Sequence, residues 1–249
     1  MFDFTGKTII VTGAAQGIGK ETAKGIVKGG GDVVILDLNA EKGEAAAKEF
    51  NGHADFYKID LGDSKNCREV IKTVCAEHDK VDGLINVGGI VSKAKFEDIS
   101  DEEWERTIRI NLTGTYSTCS EIYPYFMKNG GGRIVNVSSV AGKIGGGLLG
   151  TAAYATSKAG VNGLTKAIAK EGGKYGISCN AVCPSFTHTA MTKSLSDDKD
   201  KNDAVINMIP LGRAAEPNEI AQMILFFASD AASFVNGEIG DCDGGIVLD

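Results

Sequence analysis

The chain has 249 residues, 43% hydrophobic and 24% charged, and a formal net charge of −7. That is an ordinary globular composition, one domain of this length is common for α/β folds, and such a chain can bury a large core. Its acidity argues against nonspecific binding to nucleic acid or to an anionic membrane, and no apolar run approaches bilayer length.

The chain opens with residues 1–7, which carry no basic stretch leading into a long apolar core, so no secretory leader is expected. The six cysteines are scattered, form no CxxC pair and do not cluster with the three histidines. Reduced thiols in the cytoplasm, without a metal, are the expectation.

An apolar run at 8–12 comes first, followed by Gly13, Gln16, Gly17, Ile18 and Gly19, then a helical pattern over 19–28. Strand, glycine turn and helix in that order make a cradle for a pyrophosphate. The helix start offers free N–H groups and a partial positive charge. A second apolar run, 33–36, ends in Asp37 and Leu38. An acid about 20 residues beyond the glycines suits the hydroxyls of an adenosine ribose. It also repels a 2′-phosphate, and Gln16 brings no cation to attract one, so NAD is expected over NADP.

Further strands are expected at 54–59, 83–86, 133–137, 178–182 and 238–241, and further helices at 40–50, 64–77, 101–128, 155–174 and 218–229. The alternation predicts a Rossmann-like, doubly wound parallel sheet of about seven strands with helices on both faces. Ligands in such sheets lie beyond the carboxyl ends of the strands. Those ends hold Asp60 and Leu61, Asn86 with Gly88 and Gly89, Ser138 and Ser139, and Pro184 with Ser185. The polar stretch 185–203, extending to about 210, is expected to be a mobile lid over the substrate.

Tyr154 and Lys158 stand four residues apart at the start of a helix and share one face. A phenol is a poor base at neutral pH, and an adjacent ammonium stabilises the phenolate and lowers the phenol pKa. The tyrosine can then exchange a proton with an alcohol or carbonyl oxygen. Ser139, after the strand 133–137, can bond the same oxygen. Ser138 is the competing serine, suited to bonding the backbone at the strand end. Asn111 lies inside a helical stretch that disfavours asparagine, which points to a specific hydrogen bond, such as one to a water leading to Lys158.

These motifs, in this order and spacing, closely resemble the short-chain dehydrogenase/reductase family from Lys7 to Gly245. The resemblance rests on Gly13-x-x-x-Gly17-x-Gly19, Asn86-x-Gly88-Gly89, Asn111, Ser139, Tyr154-x-x-x-Lys158, Asn180-x-x-x-Pro184 and Asp243-Gly244-Gly245. It implies that Ser139 polarises the carbonyl, Tyr154 is the general acid/base, Lys158 also binds the nicotinamide ribose, and Asn111 holds a relay water. It further implies that Asp60 and Leu61 border the adenine, Asn86 and Gly88 line the ribose, and Thr187 and Thr189 flank the nicotinamide carboxamide beside Pro184. A homotetramer is implied as well.

The sequence departs from the family pattern at Val87, at Ser185, and in a longer loop from 142 to 150. Ser185 replaces a glycine, so its backbone should avoid positive φ. The expected activity is NAD-dependent interconversion of a secondary alcohol and its ketone, with a hydroxysteroid, a small diol or acetoin, a sugar or polyol, or a hydroxyacyl compound as substrate. A 3-oxoacyl-thioester reductase is an alternative that would want NADPH. A nucleotide-binding sensor is an alternative of another class, against which the four groups Ser139, Tyr154, Lys158 and Asn111 speak. Phe186, His188, Met191, Leu195, Leu148 and Leu149 point to a partly apolar pocket, with His188 itself expected in an exposed loop.

Overall fold

Seven parallel strands form one sheet in the computed structural model, which describes residues 2–146 and 151–248. They are β1 (Thr8–Thr12), β2 (Asp32–Asp37), β3 (Ala54–Lys58), β4 (Gly83–Asn86), β5 (Gly132–Val137), β6 (Ile177–Pro184) and β7 (Ile239–Cys242). Their spatial order is β3-β2-β1-β4-β5-β6-β7. The expected strands stand where the apolar runs put them, with ends shifted by a residue or two.

The helices are α1 (Gly17–Lys28), α2 (Ala40–Lys48), α3 (Ser64–Glu77), α4 (Asp101–Ile108), α5 (Gly114–Lys128), α6 (Ala141–Ile144), α7 (Ala152–Gly172), α8 (Lys193–Ser196), α9 (Lys199–Ile206) and α10 (Pro217–Ala228). Several start on side-chain caps. Asn39 accepts from the Lys42 N–H, Asp63 from Lys65 and Asn66, and Ser100 from Glu103.

Side chains alternate across the sheet, so both faces are buried. Ile9 and Val11 of β1 pack with Ile26 of α1 and Ile220 and Ile224 of α10. Ile10 faces the other way, with Ile71 of α3 and Ile122 and Phe126 of α5. Each such side chain contributes roughly 1.5–3 kcal/mol by leaving water.

From β1 the chain winds outward to β2 and β3 on one side, and from β4 onward on the other. A crevice opens at the carboxyl ends where the winding reverses. Thr12 Oγ1 fastens this point by accepting the N–H groups of Val87 at 3.1 Å and Gly88 at 3.2 Å. Gly13 has φ +65°, and a Cβ there would lie 2.7 Å from Gly88 Cα. The glycine serves both the left-handed turn and this close approach.

One expectation needs correction. The single helix over 101–128 is interrupted by a π turn at Arg109–Thr113, where Asn111 sits. Such widened turns change which side chains face inward. The 185–203 stretch, expected as a lid, is partly helical. It carries α8 and α9, and Phe186, Leu195, Val205, Ile209 and Ala214 bury one another in a small core of their own. Leu195 therefore belongs to that core, and His188 is exposed. Leu148 and Leu149 lie outside the described residues, as does the loop 142–150 beyond Gly146.

Candidate active site

A cleft of about 410 Å³ runs along the carboxyl ends of the strands. At one end, α1 begins at Gly17 after Gln16, whose side chain makes no cap, and its first turn holds no acid. The free N–H groups of that turn therefore have no side-chain acceptor and open toward the cleft wall formed by Gly13, Gln16, Gly17, Ile18 and Gly19. Asp37 stands beside them. Its Oδ2 accepts from Ala15 N at 3.1 Å and its Oδ1 from Asn39 N at 3.0 Å. Each oxygen keeps a lone pair for a ligand hydroxyl. Leu38, Asp60, Leu61 and Gly88 complete this end.

At the other end, β5 delivers Ser139 and the first turns of α7 deliver Tyr154 and Lys158 to the same wall. Ser139 Oγ accepts from Ala141 N at 3.1 Å, and Ser139 and Tyr154 line the same wall. Ser138 turns away and donates to Lys158 O at 3.0 Å, which ties β5 to α7. Lys158 is 5% exposed, and its Nζ donates to Val137 O at 2.7 Å. Nζ lies 5.8 Å from the centre of the Tyr154 ring.

Burial pushes the Lys158 ammonium down to about 8. Burial also pushes the Tyr154 phenol up from its ordinary value, against the hydrogen bond from Ser139. This corrects the expectation of a lowered phenol. Desolvation is the largest cause at the phenol, and the Lys158 ammonium directs a proton to Val137 O.

Two expected site residues stand apart from the cleft wall. The Asn86 amide turns into the protein, where Nδ2 donates to Asn136 Oδ1 at 2.9 Å and Oδ1 accepts from Thr118 Oγ1 at 2.9 Å. Its side chain binds β4 to β5 and α5. Asn111 is 1% exposed. Its Oδ1 accepts from Ile90 N at 2.8 Å, and its Nδ2 donates to Ile90 O at 2.9 Å and to Ser157 Oγ at 3.1 Å. Both amide protons are engaged by the protein, so the Asn111 side chain has none to give a water.

The segment from Pro184 to Thr192 forms the third side. Pro184, Thr187 and Thr189 line the cleft, and Thr189 Cγ2 would lie 3.6 Å from a Cβ at Gly17. Ser185, the departure from glycine, avoids positive φ and donates from Oγ to Asp243 O at 2.8 Å.

A family model described as enoyl-(acyl carrier protein) reductase matches residues 13–247. The chain belongs to the short-chain dehydrogenase/reductase family. It is 39% identical over 246 residues to a 3-oxoacyl-[acyl-carrier-protein] reductase of Thermotoga maritima, covering 98% of each chain. It is 36% identical over 252 residues to a D-threitol dehydrogenase of Mycolicibacterium smegmatis, covering 99% of this chain and 96% of that one. A gluconate 5-dehydrogenase from Burkholderia cenocepacia, solved with NADP and tartrate, superposes with a TM-score of 0.93 at 30% identity, over 98% of this chain and 96% of that one.

As a short-chain dehydrogenase/reductase the chain is an oxidoreductase that takes a nicotinamide cofactor. The residues present fit such a group: an uncapped helix start, a carboxylate with open lone pairs, and a buried ammonium line one continuous cleft. Sequence reasoning missed two residues beside this dehydrogenase/reductase site. Cys183 is buried behind Tyr154 and Lys158, and burial holds its thiol up at about 11, so it stays neutral. Lys42, on α2, donates from Nζ to Gln16 Oε1 at 3.0 Å and brings a cation beside the glycine turn. Nothing in the local sequence announces that contact.

Proposed function

We propose that this chain is an NAD-dependent dehydrogenase that interconverts a secondary alcohol and its ketone. One observation carries the reading. Ser139, Tyr154 and Lys158 meet at one end of a cleft whose other end holds Asp37 and the uncapped start of α1. The dinucleotide, when bound, supplies hydride exchange at its nicotinamide ring.

The chain's own groups do the rest. Ser139 Oγ, oriented by the Ala141 N–H, donates to the substrate oxygen. Tyr154 passes a proton at its phenol oxygen, giving it to a ketone or taking it from an alcohol. Lys158 keeps N–H groups beyond the one on Val137 O, and these serve the nicotinamide ribose and favour the phenolate. Asn111 acts through Ser157 and Ile90 as a positioning residue. Asp37 accepts from the adenosine ribose, Asp60 and Leu61 border the adenine, and the turn from Gly13 to Gly19 holds the pyrophosphate. Thr187 Oγ1 donates to Ser185 O at 3.2 Å, which leaves its lone pair to accept from the carboxamide.

A second reading, a 3-oxoacyl-thioester reductase using NADPH, is favoured by the Thermotoga relative and by the Lys42 ammonium beside Gln16. Michaelis constants for NADH and NADPH decide between the two. No helix among the described residues is long and apolar enough to cross a membrane. A cytoplasmic homotetramer is part of the proposal, supported by the fully exposed Phe234 and by the half-exposed Trp104 and Tyr116. Light scattering that finds a monomer at micromolar concentration removes the tetramer. The activity is tested by an NAD-reduction screen over steroids, diols, sugars and hydroxy acids, with Tyr154→Phe as the blank. Equal rates in the two proteins would overturn the assignment.

A further inference from the structure

Beyond Ser139 and Tyr154 the cleft widens between residues 90–91, 140–146, 185–192, 205–208 and 246. The side chains that line it there include Val91, Ile144, Phe186, Met191, Met208 and Ile246. Met191, Met208 and Ile144 line the cleft and are 44%, 51% and 49% exposed.

Among the described residues, no charged side chain from these segments lines the wall. Lys143 turns to Asp241 at 2.6 Å, and His188 lies outside the lining. Asp37 and Asp60 belong to the dinucleotide end. Arg106 also lines the cleft, but it comes from α4, outside these segments.

The lid hydroxyls have their protons engaged. Ser185 Oγ donates to Asp243 O at 2.8 Å, and Thr187 Oγ1 to Ser185 O at 3.2 Å. Thr192 Oγ1 donates to Thr187 O at 2.6 Å, and Thr189 Oγ1 then meets Thr192 Oγ1 at 3.2 Å. None of them can donate to a second substrate oxygen without breaking a bond within the protein. An extra hydroxyl or carboxylate on the substrate would lose its water and find no free lid hydroxyl proton among the described residues.

The C-terminal turn that presents Ile246 is built in. Asp243 is 6% exposed, and its carboxylate accepts from Gly245 N at 2.8 Å and Val247 N at 2.7 Å. Ile246 packs on the lid core between these two bonds.

We infer that the substrate half of the cleft takes a secondary alcohol or ketone flanked by hydrocarbon, and that Met191, Met208 and Ile246 set this preference against polyols and sugar acids. The inference rests on the proposed function, in that Ser139 and Tyr154 mark where the reacting oxygen sits. It narrows the substrate class where the relatives diverge, since one of them is a threitol dehydrogenase and another a gluconate dehydrogenase.

The test compares probes of equal carbon number: 2-butanol with D-threitol, and 2-hexanol with gluconate, with 2-octanol extending the series. Two readouts are taken on the full chain with saturating NAD: kcat/KM, and the rise in melting temperature on adding each compound. The expected result is a rise in kcat/KM of about fourfold per added methylene from 2-butanol to 2-octanol. Threitol and gluconate should give neither turnover nor a melting shift that matches their partners. Met208→Ser and Ile246→Asn should each flatten the chain-length series, and the exposure of Met208 makes its replacement safe for folding. A polyol or gluconate that outperforms its carbon-matched alcohol in either readout overturns the inference, as does binding of neither class. If the melting shifts rank the apolar alcohols first but nothing is turned over, the proposed chemistry fails and the pocket assignment stands.

Discussion

Asn111 Nδ2 donates to Ser157 Oγ at 3.1 Å, and Ser157 in turn donates to Tyr154 O at 2.7 Å. The π turn of Arg109–Thr113 is thereby joined to the helical turn that carries the phenol and the ammonium. The same amide clasps both backbone groups of Ile90 at the cleft wall. One buried side chain thus fixes β4's outgoing loop against α7.

Asn111→Ala should therefore cost stability before it costs chemistry. It leaves the N–H and C=O of Ile90 without their partner and takes from the Ser157 hydroxyl one of its two hydrogen bonds. A loss on the order of 3 kcal/mol is expected, since each orphaned buried group costs roughly 1–3 kcal/mol. Urea unfolding measures it. The variant's kcat should fall while its affinity for NAD holds, because the glycine turn and Asp37 are untouched.

Tyr154→Phe removes the phenol oxygen and leaves the ring in place. Turnover should drop by at least about a hundredfold, the low end for a lost general acid/base. NAD should still bind, as read by quenching of protein fluorescence. A variant that keeps a tenth of the wild-type rate would move the proton transfer elsewhere.

Much of this was legible in the chain, and the reasons are local. Strands buried on both faces read as apolar runs, and the glycine turn needs particular residues at particular φ values. Tyr154 and Lys158 share a helix face by spacing alone. What escaped depends on partners far away in sequence. Nothing near Asn86 says that its amide will meet Asn136 and Thr118. The lid's polar composition hid a small core, because Leu195, Val205 and Ile209 bury one another only once the lid folds back under Phe186. The direction of the Tyr154 shift also depends on burial, which spacing does not report.

The Lys158 shift makes stability depend on pH in a defined window. Its ammonium titrates at about 8 in the folded chain, against 10.5 for the ordinary side chain. Below about 8 both states are charged, and the folded state bears the full burial cost. Between about 8 and 10.5 the unfolded chain holds a proton that the folded chain has released, so stability rises with pH. The gain should approach about 3 kcal/mol, at 1.36 kcal/mol per pKa unit. Above 10 the raised Tyr154 phenol acts the other way, since the folded chain keeps a proton that the unfolded chain loses. Urea unfolding of the wild type and of Lys158→Met at pH 7 and pH 9.5 separates these effects. The wild type should gain relative to the variant as the pH is raised, and parallel curves would remove the shift.

Cofactor preference should turn on Asp37 and Lys42 together. On the proposed reading Asp37 accepts from the adenosine ribose, where its carboxylate would repel a 2′-phosphate and so disfavour NADP by charge. Lys42 Nζ, 3.0 Å from Gln16 Oε1, waits on the neighbouring helix. In Asp37→Ala the repulsion is gone and the ammonium remains, so the ratio of kcat/KM for NAD over NADP should fall at least about tenfold, the equivalent of roughly 1.4 kcal/mol. The double variant Asp37→Ala/Lys42→Ala should give back part of that change, because a phosphate would then meet neither charge. Raising the salt concentration should blunt the effect of Lys42, which is exposed and open to screening. If Lys42→Ala leaves the NADP constants of the Asp37→Ala protein untouched, the ammonium does not reach the phosphate, and discrimination falls to the carboxylate alone.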